Sequence, residues 1–221
     1  MVRIFLDSAD LAEMRRLAPQ VDGFTTNPTL MRKAGVSDYK AFALEALALG
    51  KPVSLEVFAD DFTEMERQAR LICSWGENAI VKIPITDSQG HSSLEVIDLL
   101  SASGLCLNIT AVMTSEQIRE LGRRQVEGRL IVSIFAGRIA DTGRDPMQTV
   151  RFAGNRGFEV LWASAREVLN VRQAEDAGAD IITLSPELLA KMTFTGKDLT
   201  EFSRETVQMF HDDAKVARYS L

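Results

Sequence analysis

The 221-residue sequence predicts an α/β fold, a single (β/α)8 TIM barrel with an extra C-terminal helix, and three observations carry that reading. Short apolar runs rich in β-formers recur along the chain, with amphipathic helical stretches between them. Strand–helix units number about eight, the count of a closed barrel. No Pro/Gly/Ser-rich linker interrupts the series, so one domain spans 1–221. An open doubly wound sheet is the rival arrangement. Eight units favour closure, because closure leaves no exposed strand edge.

The strands are expected at 3–7 (RIFLD), 21–25 (VDGFT), 52–57 (PVSLEV) and 79–83 (AIVKI). Four more follow at 105–110 (LCLNIT), 130–135 (LIVSIF), 158–163 (FEVLWA) and 179–184 (ADIITL). Helix signals lie between them. After Asp61, Phe62, Met65, Ala69, Ile72 and Trp75 recur at helical spacing, with Glu64 placed for a capping box. Ser92 with Glu95 and Thr114 with Gln117 repeat that box. Asp145-Pro146 and Ser185-Pro186 each read as an N-cap followed by proline at the first helical position. The tail from about 196 exceeds what an eighth helix needs. In 196–221 a further helix is expected, with Leu199, Phe202, Val207 and Phe210 as apolar contacts to the barrel or to a neighbouring copy.

Composition narrows the function. The chain is 46% hydrophobic and 25% charged, as a soluble globular protein is. A net charge of −6 leaves no basic stripe for nucleic acid, although one local basic pocket for a small anion remains open. The opening MVRIFLDSAD has no signal-peptide core and no apolar run reaches membrane-spanning length, so a cytoplasmic protein without a membrane partner is expected. Cys73 and Cys106 lack metal or redox spacing and read as reduced core residues. His91 and His211 are the only histidines, which disfavours histidine metal sites and triads. The NIT sequon at 108–110 has no meaning without secretion.

Within VKIPIT, residues 81–86, Lys82 interrupts an apolar run that reads as a buried parallel strand. Buried ammonium groups are rare because desolvating a charge is costly. Polar residues also recur where the other strands end: Asp7, Thr26 and Asn27, Glu56, Asn108 and Thr110, Ser133 and Arg138, Ser164 and Arg166. Singly, each has a bland reading, with Asp7 a helix cap, Asn27-Pro28 a turn and Arg138 a surface charge. Together they fall where a barrel keeps its active site. Strand parity turns Lys82, Glu56 and Asn108 inward. An apolar surrounding disfavours a charged amine, and a neutral lysine can add to a ketone to form a Schiff base. The competing reading is a lysine that snorkels to the barrel rim.

FLDSAD (5–10), DGFTTNPTL (22–30), SLEV (54–57), VKIPIT (81–86), LNIT (107–110), SIFAGRI (133–139) and ASAR (163–166) together resemble the short transaldolase/fructose-6-phosphate aldolase family over nearly the whole chain. The resemblance implies a transferase that uses no cofactor and no metal. It moves a dihydroxyacetone unit from a ketose phosphate, of the fructose 6-phosphate or sedoheptulose 7-phosphate type, to an aldose phosphate. It implies Lys82 as the Schiff-base lysine and Asp7 as the acid/base at the substrate C4 hydroxyl. Glu56, through a water held with Thr110, would shuttle protons for the imine. Asn27, with Thr26 beside it, Asn108 and Ser133 would hold the dihydroxyacetone part. Arg138, Ser164 and Arg166 would take the distal phosphate, a role guanidinium groups suit. It also implies a homo-oligomer, a ring-type pentamer or a decamer, with the C-terminal helix reaching a neighbour.

Glu56 and Phe135 point to the transaldolase subtype, since the aldolases of the family typically carry Gln and Tyr there. Three departures surround the pocket: Ile134 in SIF, Glu167 in ASAREV, and Ala111 in NITAVMT. Arg144 in DTGRDP reads either as a further anion contact or as a solvated loop charge. Three alternatives to a standard transaldolase stand beside it. They are an aldolase-type lyase releasing dihydroxyacetone, a non-catalytic sugar-phosphate barrel, and a transaldolase for a longer or differently substituted sugar.

Overall fold

The computed structural model describes residues 1–124 and 127–218. The chain runs β1 (Arg3–Asp7), α1 (Leu11–Leu17), β2 (Gly23–Thr25), α2 (Pro28–Lys33), α3 (Tyr39–Leu47), β3 (Val53–Glu56), α4 (Phe62–Cys73), β4 (Ala79–Pro84) and α5 (Leu94–Ala102). It continues through β5 (Leu107–Val112), α6 (Ser115–Leu121), β6 (Leu130–Ile134), α7 (Ala136–Ala140), α8 (Met147–Gly154), β7 (Glu159–Trp162), α9 (Leu169–Ala177), β8 (Ile181–Leu184), α10 (Pro186–Lys191) and α11 (Leu199–Ala217). The strands pair in sequence order, and β1 closes on β8 in parallel. The predicted closed barrel is therefore observed, and the open sheet is not.

Strand alternation sorts the side chains. Leu55, Val81, Ile83, Ile109 and Val132 face outward into a core shared with the helices. Phe5, Ile80, Ile131, Leu161, Ala163 and Ile181 form a separate apolar cluster inside the cylinder. Two positions on from Phe5, Ile80, Ile131 and Ile181 stand Asp7, Lys82, Ser133 and Thr183. The interior thus has an apolar floor and, above it toward the strand ends, a largely polar layer. Phe5 fills the floor against Gly23, where a Cβ would stand 2.6 Å from the ring. Phe5→Ala should lower stability by about 3–5 kcal/mol, as for other buried aromatics. Denaturant unfolding checks this, and a loss under about 1 kcal/mol would mean that the floor closes without the ring.

Most helix signals hold. Thr114 and Gln117 form the full capping box, and Ser185 accepts from the Leu188 amide ahead of Pro186. Asp61 caps the Glu64 amide, but the Glu64 carboxylate turns to Arg67 and Gln68. After Asp145-Pro146 the helix starts at Met147, whose amide donates to the Asp145 carboxylate. The Ser92–Glu95 box does not form. Ser92 is held in an antiparallel bridge with Thr86, and α5 begins after Ser93.

The predicted tail helix is present, but its apolar residues do not pack on the barrel. Leu199 is 78% exposed, and Val207 and Phe210 are also exposed. Phe202, partly exposed, packs on Phe194, with the Lys197 ammonium over both rings. Positions 219–221 of the predicted tail lie outside the described residues. Among the described residues no helix is long and apolar enough to cross a membrane.

Candidate active site

A cavity of about 440 Å³ opens above the polar layer, within the usual size of small-ligand sites. Asp7, Asn27, Glu56, Lys82, Asn108, Thr110, Ser133, Phe135, Arg138 and Ser164 all line it. Ten of the twelve residues singled out in the sequence are therefore brought together. Register explains the centre: Glu56 pairs with Lys82, and Lys82 with Asn108, across β3, β4 and β5.

Lys82 is 6% exposed, so it does not snorkel to the rim. Its stem runs through apolar surroundings, but its tip does not. Nζ donates to the Thr26 carbonyl at 2.9 Å and lies 3.0 Å from Glu56 Oε2. A buried charge pair of this kind contributes little net stability, because desolvation offsets the attraction. At that distance the Glu56 carboxylate is placed to exchange a proton with the amine. Glu56 is itself braced. The Tyr39 hydroxyl donates to its backbone carbonyl at 3.0 Å, and the Tyr39 ring packs on Phe58 and Trp75. Burial pushes the Tyr39 phenol pKa well up, which keeps the hydroxyl a donor.

Asp7 faces the same cavity from β1. Burial raises its pKa, with the neighbouring Lys82 and a hydrogen bond from Thr25 opposing the rise and Glu56 reinforcing it. Ser133 Oγ donates to Asn108 Oδ1 at 2.6 Å, and Asn108 Nδ2 donates to Ser54 Oγ at 3.1 Å. Thr110 Oγ1 is buried and has no hydrogen-bond partner among the described residues. An orphan hydroxyl of this kind, lining a cavity, fits a ligand or water contact.

The backbone is unusual at two places on the rim. Ala111 has φ +60° within a register shift between Ile109 and Val112. The extra residue turns Val112 outward into the helix-facing core while Thr110 stays inward. Ser164 has φ +62°, and a Cβ on Gly137 would stand 1.6 Å from the Ser164 carbonyl oxygen. Only glycine permits that approach, which sets Arg138 beside Ser164 at the mouth.

Two predicted site residues are placed elsewhere. Thr26 points out of the barrel, where its hydroxyl donates to the Ser54 carbonyl, and it is Thr25 that faces the cavity. Thr26 serves the site through its carbonyl on Lys82. Arg166 is held away from the cavity by Asp141, to which it makes two hydrogen bonds of 3.3 and 2.7 Å. Thr25 and Thr183, which line the cavity, and Ser54 and Tyr39, which bond to Asn108 and Glu56 behind it, are not among the residues the sequence singles out. A lone hydroxyl in an apolar strand, as at Thr183 in Ile181–Leu184, is the available signal, and it is weaker than the charge at Lys82.

Of the three departures, only Ala111 touches the cavity. Ile134 packs in the outer core, and the Glu167 amide donates to Asn170. A larger, open crevice of about 760 Å³ shares Arg138 and contains Arg144, but it lacks Lys82, Glu56 and Asp7.

A family model described as transaldolase/fructose-6-phosphate aldolase matches residues 4–221. A probable transaldolase from Dehalococcoides mccartyi is 39% identical over 201 residues, 86% of this chain and 90% of the relative. One from Chelativorans sp. is 34% identical over 212 residues, 91% and 94% of the two chains. Among solved structures, 3-hexulose-6-phosphate synthase from Salmonella typhimurium superposes with a TM-score of 0.60 at 16% identity, covering 83% of this chain and 89% of that one. This last likeness shows the barrel fold alone.

Proposed function

The chain belongs to the transaldolase/fructose-6-phosphate aldolase family, and we propose that it is a Schiff-base transaldolase acting on sugar phosphates. The observation that supports this reading best is the buried Lys82 Nζ, 3.0 Å from Glu56, on the wall of a cavity with Arg138 at its mouth.

In this reading the ketose phosphate enters with its phosphate at Arg138 and Ser164 and its keto carbon at Lys82. Nζ adds to that carbon. Glu56 takes a proton from the amine and returns one to the carbinolamine oxygen, which leaves as water. The iminium then draws electrons from the C3–C4 bond. Asp7 takes the proton of the C4 hydroxyl as that bond breaks, and the aldose phosphate departs. The enamine left on Lys82 attacks the carbonyl carbon of an acceptor aldose phosphate, Asp7 returns the proton, and water releases the new ketose. Asn27, Asn108 and Ser133 hold the dihydroxyacetone hydroxyls.

Phe135 supports transfer over simple cleavage. It presents a phenyl ring to the cavity, with no hydroxyl to orient a water toward the enamine carbon. Incubation with fructose 6-phosphate and borohydride should add a reduced dihydroxyacetone or sugar mass to the peptide carrying Lys82. Donor cleavage should need an acceptor aldehyde for sustained turnover. An unmodified Lys82 peptide from active protein would end the Schiff-base reading, and fast turnover without acceptor would favour a lyase. Homologous ketoses of seven and eight carbons, tested alongside, read out the Ala111 departure.

Arg138→Ala should raise the donor KM about 10- to 100-fold with a smaller change in kcat, the effect of losing charge-assisted bonds to phosphate. Arg166→Ala should do less, since Arg166 is already paired with Asp141. Equal effects would mean that Arg166 leaves Asp141 to bind substrate. The exposed apolar residues of α11 support a homo-oligomer through that helix. Light scattering on the full chain should give five or ten copies, and a monomer would sink that part of the reading.

A further inference from the structure

We propose that Thr183, on β8, is a positioning residue that commits the hydroxyl hydrogen of Thr25 to Asp7 and so fixes which carboxylate oxygen exchanges protons with the substrate. The inference rests on Asp7 acting as the acid/base.

The argument is a count of hydrogens. The Thr25 hydroxyl lies 2.8 Å from Asp7 Oδ1 and 2.5 Å from Thr183 Oγ1. A hydroxyl carries one hydrogen, and an ionised carboxylate only accepts. With Asp7 ionised, Thr25 must donate to Oδ1. Thr183 must then be the donor in the second contact. The bonds run in one sense, from Thr183 to Thr25 to Asp7. Both threonines are buried, on the strands that flank β1, and both line the cavity. With Oδ1 engaged, Oδ2 is left to take the C4 hydroxyl proton. Donation by Thr183 polarises the Thr25 hydroxyl and strengthens its bond to the carboxylate. The charged groups facing Asp7 from the other elements are Lys82 on β4 and Glu56 on β3, with Arg138 at the mouth.

The sign follows. A hydrogen bond to the ionised form lowers the carboxyl pKa, so weakening it raises a pKa that burial has already raised. Asp7 must be ionised to start donor cleavage. In Thr183→Val the acid limb of the cleavage profile should therefore move to higher pH. On that limb, single-turnover release of aldose phosphate from fructose 6-phosphate should fall about 3- to 10-fold. Thr183→Ser should restore both. Borohydride trapping at Lys82, which depends on Glu56 and not on Asp7, should keep its own pH profile. A Thr183→Val cleavage profile that superimposes on the wild type, or one that moves together with the trapping profile, overturns the inference. Should Thr183→Val not fold by circular dichroism, Thr183→Ala removes the same hydroxyl and carries the same expectation. Asp7→Asn separates the two levels. If it cleaves donor at the wild-type rate, the role of Asp7 itself is wrong. If it is inactive while Thr183→Val is normal, only the role of Thr183 is.

Discussion

Lys82→Ala should abolish turnover, by about 10⁴-fold or more, and should leave no adduct after borohydride treatment with donor. The scale is that of removing a covalent nucleophile whose partners cannot substitute for it. Lys82 is the lysine that lines the cavity, and its amine is reached only from that cavity because the stem is enclosed by the barrel. Lys82→Met is a useful companion. It keeps the volume of the stem while removing the charge, so lost chemistry can be read apart from lost packing. Both variants leave the part-buried Glu56 without its cation, which costs stability. Melting curves report that cost independently of activity. An adduct that persists on another lysine in a folded Lys82→Ala protein would move the nucleophile elsewhere and dismantle the mechanism.

The barrel was legible in the sequence because its rules are periodic. Eight apolar runs separated by amphipathic stretches leave few topologies, and parallel strands covered by helices must be apolar on the outer face. Lys82 stood out for the same reason, as a charge where periodicity demands an apolar side chain. Parity is the weaker part of such a reading. Thr25 and Thr26 are adjacent and identical, and only the fold shows that Thr25 faces inward while Thr26 offers its carbonyl. Thr183 was overlooked because threonine is an ordinary β-former, and Ser54 because a small hydroxyl carries no charge to mark it in a strand.

Long-range pairing was less legible still. Arg166 carries the charge that a phosphate site needs, but Asp141, 25 positions earlier in the chain, occupies its guanidinium. Nothing local to ASAR announces that contact. The tail shows the same limit in reverse. The apolar spacing of Leu199, Phe202, Val207 and Phe210 correctly indicated a helix, but amphipathic spacing does not say what covers the apolar face. The polarity at Lys82 Nζ was also hidden. The strand around it is apolar, while the two groups that meet the amine come from β3 and from the residue after β2. That arrangement gives the amine a proton acceptor as well as an apolar surrounding, and it makes Glu56 the second residue whose loss tests the proposed mechanism.

Glu56→Ala should accordingly slow imine formation by about 10²–10⁴-fold, the range of a lost general acid–base. Imine formation requires Nζ to shed protons and the carbinolamine oxygen to gain one before it leaves. A carboxylate 3.0 Å from Nζ can serve both steps, taking a proton in one and returning it in the next. The orphan Thr110 hydroxyl offers a place for the water through which that exchange would run. Donor KM should change little, because the proposed mechanism rests the far end of the sugar on Arg138 and Ser164, away from Glu56. The discriminating measurement is the rate of borohydride-trapped adduct at saturating fructose 6-phosphate, compared with the rate of carbon–carbon cleavage. Loss of Glu56 should slow the first strongly and limit the second only through it, whereas loss of Asp7 should spare the first and stop the second. A Glu56→Ala protein that forms adduct at the wild-type rate would transfer the proton shuttle to Asp7 and leave one carboxylate doing both tasks.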